Sequence, residues 1–414
     1  LAEILTRFKG DLKANTVLGV CVALVLYVAN GIRISIENFN IHSWTLSELL
    51  INYQGGFVRR GIYGELLFQT SNPIYFATLF QKVALIFVLI GVIAILFFET
   101  SNVSRLLFTA TIVFAPGGMH DMKVGGNEFT GGEWEYLDRK EIWFYCAIIC
   151  FYFTVKFLNN RPVIYGLVFS IVSILLILHH ELFFVFAIVI YTTLLLSKKF
   201  KFRSLQTLVA SFYYLMILGT FALVTSFHGN EKVSYAIWSS YQGKYSEAVY
   251  EPGAIGAISW SITDSHVLAS TIISAGSTLY YIYFALISIL MLLLYSIVSF
   301  RSKANLFLAI LLNGGIFVGC LLTSYIFLDL GRLISMYTIV TLLGLNVLHA
   351  SLNKSEIRGD LRYSMKHPVS EIFQKNFILF CIFCYLIFIS LITRVPHCCP
   401  QPNEIPLRGF LGLM

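Results

Sequence analysis

Two adjacent arginines, Arg59 and Arg60, stand inside a glycine-rich stretch that runs from Asn52 to Gly64. Gly55, Gly56, Gly61 and Gly64 surround them, and long apolar runs lie on both sides. Guanidinium groups stay charged at any working pH and grip phosphate oxygens in planar, bidentate pairs. A glycine-rich backbone can fold closely around the same anion. The combination suits a phosphate or a diphosphate. It equally suits a loop anchored at lipid headgroups, so two readings stand for the pair. Adjacent side chains cannot share one face of a helix or strand, so one arginine can enter a cavity while the other reaches elsewhere.

Four other constellations carry polar chemistry. His179, His180 and Glu181 form an uninterrupted polar triplet between apolar runs. A histidine and a glutamate there can do general acid–base work, with His180 and Glu181 as the candidate catalytic pair. Metal binding and a merely structural polar turn are the other readings, and adjacent histidines diverge too far to ligate one ion alone. Asp329 and Arg332 lie three apart, a spacing that pairs them on one helical turn. Asp138 opens the mixed-charge run Asp138 to Glu141, and a catalytic carboxylate is sought among Asp121, Glu128, Glu135 and Asp138. Trp238, Tyr241 and Tyr245 belong to a polar–aromatic stretch whose rings can stack on sugar faces or form an interfacial belt.

The elements that must position these residues are apolar. The 414 residues are 57% hydrophobic and 12% charged, against about 25% charged in soluble domains. The expectation is an all-α integral membrane protein, one polytopic domain over 1–414. A spanning helix needs about 17–25 mostly apolar residues. Eleven runs qualify or nearly qualify: 14–32, 75–98, 104–116, 142–157, 162–178, 182–197, 206–227, 270–299, 305–327, 333–350 and 374–393. With the N-terminus in the cytoplasm and strict alternation, most lysines and arginines fall on the cytoplasmic side, and the C-terminus falls outside. The same rule divides 162–197 into two crossings, because Arg161 and Lys198 both belong inside. The outer segments are then about 33–74, 117–141 and 228–269, with short turns at His179–Glu181 and Asp329–Arg332. Trp44 to Ile51 reads as an amphipathic piece along the interface. Cys398 and Cys399 adjoin in the tail, and the other six cysteines lie in apolar runs as packing residues. No P-loop and no G-x-G-x-x-G after a strand occurs, which argues against nucleotide donors, and nothing in the chain suggests nucleic acid as a partner.

Arg59, Arg60, Gly61, Gly64, Arg332 and the histidines His179 or His180, set on outer segments of a many-span chain with short basic inner loops, resemble the Wzy-type polymerases of bacterial O-antigen and capsule. The resemblance covers layout and no diagnostic string. It implies polymerisation of undecaprenyl-diphosphate-linked oligosaccharide units at the outer face of the bacterial inner membrane. It implies diphosphate binding by Arg59, Arg60 and Arg332, and a base such as His180 or a loop carboxylate. A chain-length regulator and a flippase are the partners implied, with no metal and no cofactor. Two rivals stand beside it. A GT-C type glycosyltransferase using a polyprenyl-phosphate sugar has an acidic residue after its first helix, near Glu37, and often needs a divalent metal. A lipid-linked glycan transporter requires broken helices at the membrane midplane, and usually an internal repeat, which this sequence lacks.

Overall fold

The computed structural model describes residues 12–37, 44–99, 101–119, 140–158, 161–197, 204–242, 253–261, 278–300, 302–324 and 330–352, with a few further positions between 263 and 270 and between 382 and 387. All regular structure among them is helical. The α-helices in chain order are α1 (Leu12–Glu37), α2 (Trp44–Leu49), α3 (Gly61–Phe68), α4 (Pro73–Phe98), α5 (Asn102–Phe114), α6 (Ile142–Leu158) and α7 (Pro162–His179). They continue with α8 (Phe183–Ser197), α9 (Ser204–Ser226), α10 (Glu231–Gln242), α11 (Thr278–Ser299), α12 (Lys303–Ser324) and α13 (Leu330–Leu352). A 3-10 helix covers Gly253–Ser259.

Helix starts follow local chemistry. Asn72 caps α4 by accepting the amide of Tyr75 at 3.1 Å, and Pro73 takes the first helical position, where its missing N–H costs nothing. Ser101 caps α5 in the same way. Pro162 opens α7.

Among the described residues five helices are long and apolar enough to cross a membrane, by length and composition. Rows of large apolar side chains face outward at helical spacing, such as Leu167, Ile171 and Leu175 on α7 and Ile282, Leu286 and Leu290 on α11. In water such continuous apolar stripes drive aggregation, whereas a lipid environment covers them. The protein is membrane-embedded. Helices α5 to α8 are shorter, with 13, 17, 18 and 15 residues. The break between α7 and α8 falls at His180, where the charge pattern requires one. The eleventh apolar run, 374–393, lies almost wholly outside the described residues.

Helix α13 is the axis of the bundle. It packs against α5, α6, α8, α11 and α12, and 94% of its most apolar window is buried. A helix apolar on every side is stable only when neighbours surround it. Close approach of α12 to α8 depends on small residues. A Cβ on Gly319 lies 2.0 Å from Val185 Cγ1, so only glycine fits at this contact.

A second, smaller core caps one end of the bundle. It joins α2, α3, α10 and the 3-10 helix through Leu46, Leu49, Leu50, Ile237, Trp238 and Ile255. Residues Thr45 to Ile51 are all buried, so α2 is an internal element of this cap and not an exposed interfacial helix. The cap is tied by the Tyr241 hydroxyl donating to Leu50 O (2.8 Å), Asn52 Nδ2 donating to Ser240 Oγ (3.1 Å) and the Arg59 amide donating to Phe227 O (2.8 Å).

Candidate functional site

Between the bundle and its cap, five chain segments deliver ionisable side chains to one place. Glu48 comes from α2, and Arg59 and Arg60 from the glycine-rich turn. Lys140 and Glu141 precede α6, His180 and Glu181 join α7 to α8, and Arg332 stands at the start of α13. Glu141, Glu181 and Arg332 all lie at helix N-termini. Those ends carry partial positive charge, which favours the two carboxylates there and disfavours the arginine.

Glu48 is the hub. Its carboxylate accepts from Arg332 Nη2 at 3.2 and 3.3 Å and from Arg60 Nη1 at 3.4 Å, and His180 Nε2 is 3.9 Å away. Arg332 also pairs with Glu141. These three side chains are nearly solvent-free, at 2% for Glu48, 5% for Arg332 and 1% for Glu141. Buried charges persist only when paired, and here each is. Burial pushes the Glu48 carboxyl up, but Arg332, Arg60 and Lys140 outweigh it and hold the group below the usual carboxylate range.

Arg60 and Glu181 form the outer half. Arg60 Nε donates to both carboxylate oxygens at 3.0 and 3.1 Å, and Nη2 donates to Oε1 at 2.6 Å. Burial pushes the Glu181 carboxyl up, but Arg60, with Arg59 beside it, outweighs burial and holds the group well below its ordinary value. Arg59 Nη1 stands 3.7 Å from Glu181 Oε1. Side-chain exposure is 26% for Arg59, 20% for Arg60 and 17% for Glu181, so these three form the accessible rim over a dry interior.

His180 is fully buried, edge-on to Phe144. Its Nδ1 accepts the amide of Leu182 at 3.2 Å, which leaves the proton on Nε2, facing Glu48 and Glu141 at 3.9 Å each. Burial, reinforced by Arg60, pushes its pKa well down, so the ring is neutral. It lies behind the carboxylates, with Nδ1 also 3.7 Å from Glu181 Oε2. His179 is buried beside Tyr63.

Lys140 is also fully buried, and Nζ donates to the main-chain carbonyl of Arg60 at 2.8 Å. Burial drives its pKa down to about 7 against the opposing pull of Glu48. Arg60 itself has φ of 65°, the one non-glycine residue with a left-handed backbone among those described. That conformation costs an L-residue about 1–2 kcal/mol. The glycines around it have steric reasons: a Cβ on Gly64 would sit 2.0 Å from Ile51 O, and one on Gly61 2.2 Å from the Tyr53 ring.

The structure thus brings Arg59, Arg60, Arg332, His180 and Glu181 together. Arg332 pairs with Glu48 and Glu141; Asp329, its expected partner, lies outside the described residues, as do Asp138, Asp121, Glu128, Glu135 and Tyr245. Trp238 and Tyr241, the candidate glycan-binding rings, are buried. Both are packed in the cap, and the Tyr241 hydroxyl is spent on Leu50 O. Glu48 is the member that the sequence did not single out, and Lys140 and Glu141 fall in the mixed-charge run from which only Asp138 was a candidate. A glutamate between Leu46 and Leu49 on a short apolar helix, and a Lys-Glu pair directly abutting an apolar run, are the signals that mark them. Among the described residues no cluster of histidine, cysteine and acidic side chains could hold a metal ion. No family model, no curated protein and no solved structure matches the chain.

Proposed function

We propose that this protein is a membrane glycosyltransferase that takes its sugar from a polyprenyl-phosphate or polyprenyl-diphosphate carrier at the outer face of the bacterial inner membrane. In its first form the reaction is polymerisation of undecaprenyl-diphosphate-linked oligosaccharide units. The observation that carries the reading is the rim of Arg59, Arg60 and Glu181 over a buried ionic base. It sets an accessible carboxylate beside two guanidiniums in a membrane-embedded chain. The eleven-span topology, with these segments outside, belongs to the same proposal.

The chemistry needs both charges. An acceptor hydroxyl attacks the anomeric carbon, forming a C–O bond as the bond from that carbon to the phosphate oxygen breaks. The electron pair leaves with the phosphate, and Arg59, with Arg60 behind it, meets the charge as it develops. Glu181 takes the hydroxyl proton; its low pKa places that transfer late, when bond formation has made the hydroxyl acidic. Glu48, Glu141, Arg332 and neutral His180 hold the rim groups in place.

Glu48 favours a second reading. It is a carboxylate on the first segment after the first helix, bound to two arginines, and this is where a GT-C type enzyme places its acid. The experiment separates the two. The gene is deleted in its host and restored as wild type, R59A or E181Q, and surface glycan is resolved by length. Loss of the long-chain ladder, leaving single capped units, supports polymerisation. A glycan of normal length lacking one sugar supports the GT-C reading. A glycan unchanged in the deletion strain sinks both.

A further inference from the structure

We propose that Lys140 is the positioning residue of this site: its side-chain amino group, fixed on the Arg60 carbonyl, holds that backbone left-handed and so decides which way the Arg59–Arg60 pair faces. The inference deepens the function proposed above, but its first test does not depend on that function.

Lysine is almost never wholly buried, and when it is, a carboxylate usually takes its charge directly. Lys140 instead donates to a main-chain oxygen 80 residues away. The recipient is the very residue whose φ is 65°. Arg60 is also the residue preceding α3, and no side chain caps that helix start. The turn is over-determined at three points. The Arg59 amide is fixed on Phe227 O, the Arg60 carbonyl on Lys140, and the Arg60 guanidinium on Glu181 and Glu48. A right-handed Arg60 would rotate the peptide planes on both sides of the residue and withdraw its guanidinium from Glu181. Strain retained this way, at a charged rim, marks a pre-set geometry.

Charge adds a second effect. The groups facing Lys140 are Glu48 from α2, Arg60 from the turn, Glu181 beyond α7 and its own neighbour Glu141. Where Lys140 carries its proton, below about pH 7, it adds a positive charge to the arginines that face those glutamates, which favours an anionic ligand at the rim.

The test is a double-mutant cycle on the purified full chain in detergent, read as thermal unfolding. Glycine accepts a left-handed backbone freely and alanine does not. R60G is therefore expected to melt higher than R60A while Lys140 is present. In the K140M background that advantage is expected to vanish, because the backbone is released. K140R, which keeps a cationic donor, is expected to retain it. An R60G advantage that survives in K140M, or that is absent with Lys140 in place, overturns the proposal. If K140M does not fold, amide hydrogen exchange is compared between K140Q and wild type. Faster exchange confined to residues 59–64 supports the proposal, and unchanged exchange there contradicts it. Failure of the glycan assay alone would strike the proposed function and leave this cycle intact.

Discussion

Arg60 closes on Glu181 across 121 residues of chain, with Nε at 3.0 Å and Nη2 at 2.6 Å from the carboxylate. This pair joins the glycine-rich turn to the α7–α8 junction and forms the floor of the accessible rim. Glu181 is thereby held anionic and correctly turned. Replacing it with glutamine is expected to keep the fold and cut sugar transfer by about 10²–10⁴-fold, the range lost with a general base. Initial rates with a lipid-linked donor, beside a melting curve for E181Q, check this.

Arg59 and Arg332 are expected to separate in opposite ways. Arg59 lies on the rim, 26% exposed and 3.7 Å from Glu181, so R59A is expected to cost under about 1 kcal/mol of stability. Its loss falls on transfer from the phosphate-linked donor. R332A removes the ion-pair partner of buried Glu141 and leaves buried Glu48 with Arg60 alone, and is expected to cost about 3–5 kcal/mol. Thermal unfolding of both variants in one detergent decides. Similar melting temperatures would refute the division between rim and base.

Stability should depend on pH in a way that Lys140 sets. Its folded pKa is about 7, below the usual lysine value of about 10.4. Across that window the unfolded chain holds the proton and the folded chain does not, so stability rises with pH. Glu48 and Glu181 act at the acid end. Held low, they contribute stability above about pH 4.3, and it is lost as pH falls toward their folded values. Melting temperatures from pH 6 to 9.5 are expected to climb in wild type and to flatten in K140M.

Tyr241 tests the reading of the cap. Y241F removes one buried hydrogen bond to Leu50 O and is expected to cost about 1 kcal/mol while leaving donor KM unchanged. A rise in KM without a fall in melting temperature would return Tyr241 to the sugar site.

The sequence was legible where physics is local. Apolar runs mark helices, as 75–98 does for Pro73–Phe98, and the charge pattern places a break at His180. Partners distant in the chain were not legible. Spacing pairs Arg332 with Asp329, yet its guanidinium reaches Glu48, 284 residues away. Glu48 itself looked like one charge on an amphipathic helix, because nothing in Trp44 to Leu49 reveals that a cap will bury all its sides. The packing of Trp238 and Tyr241 in the cap was not legible for the same reason: a ring suited to a sugar is equally suited to a core.

The most direct measurement is sugar transfer by the purified protein in vesicles supplied with an undecaprenyl-diphosphate-linked saccharide, with wild type and R59A side by side. Wild type is expected to extend the glycan and release undecaprenyl diphosphate in equal amounts, and folded R59A to do neither at a comparable rate. Extension and release undiminished in R59A, or no transfer from polyprenyl-diphosphate and polyprenyl-phosphate donors alike by well-folded wild type, would contradict a phosphate-handling rim.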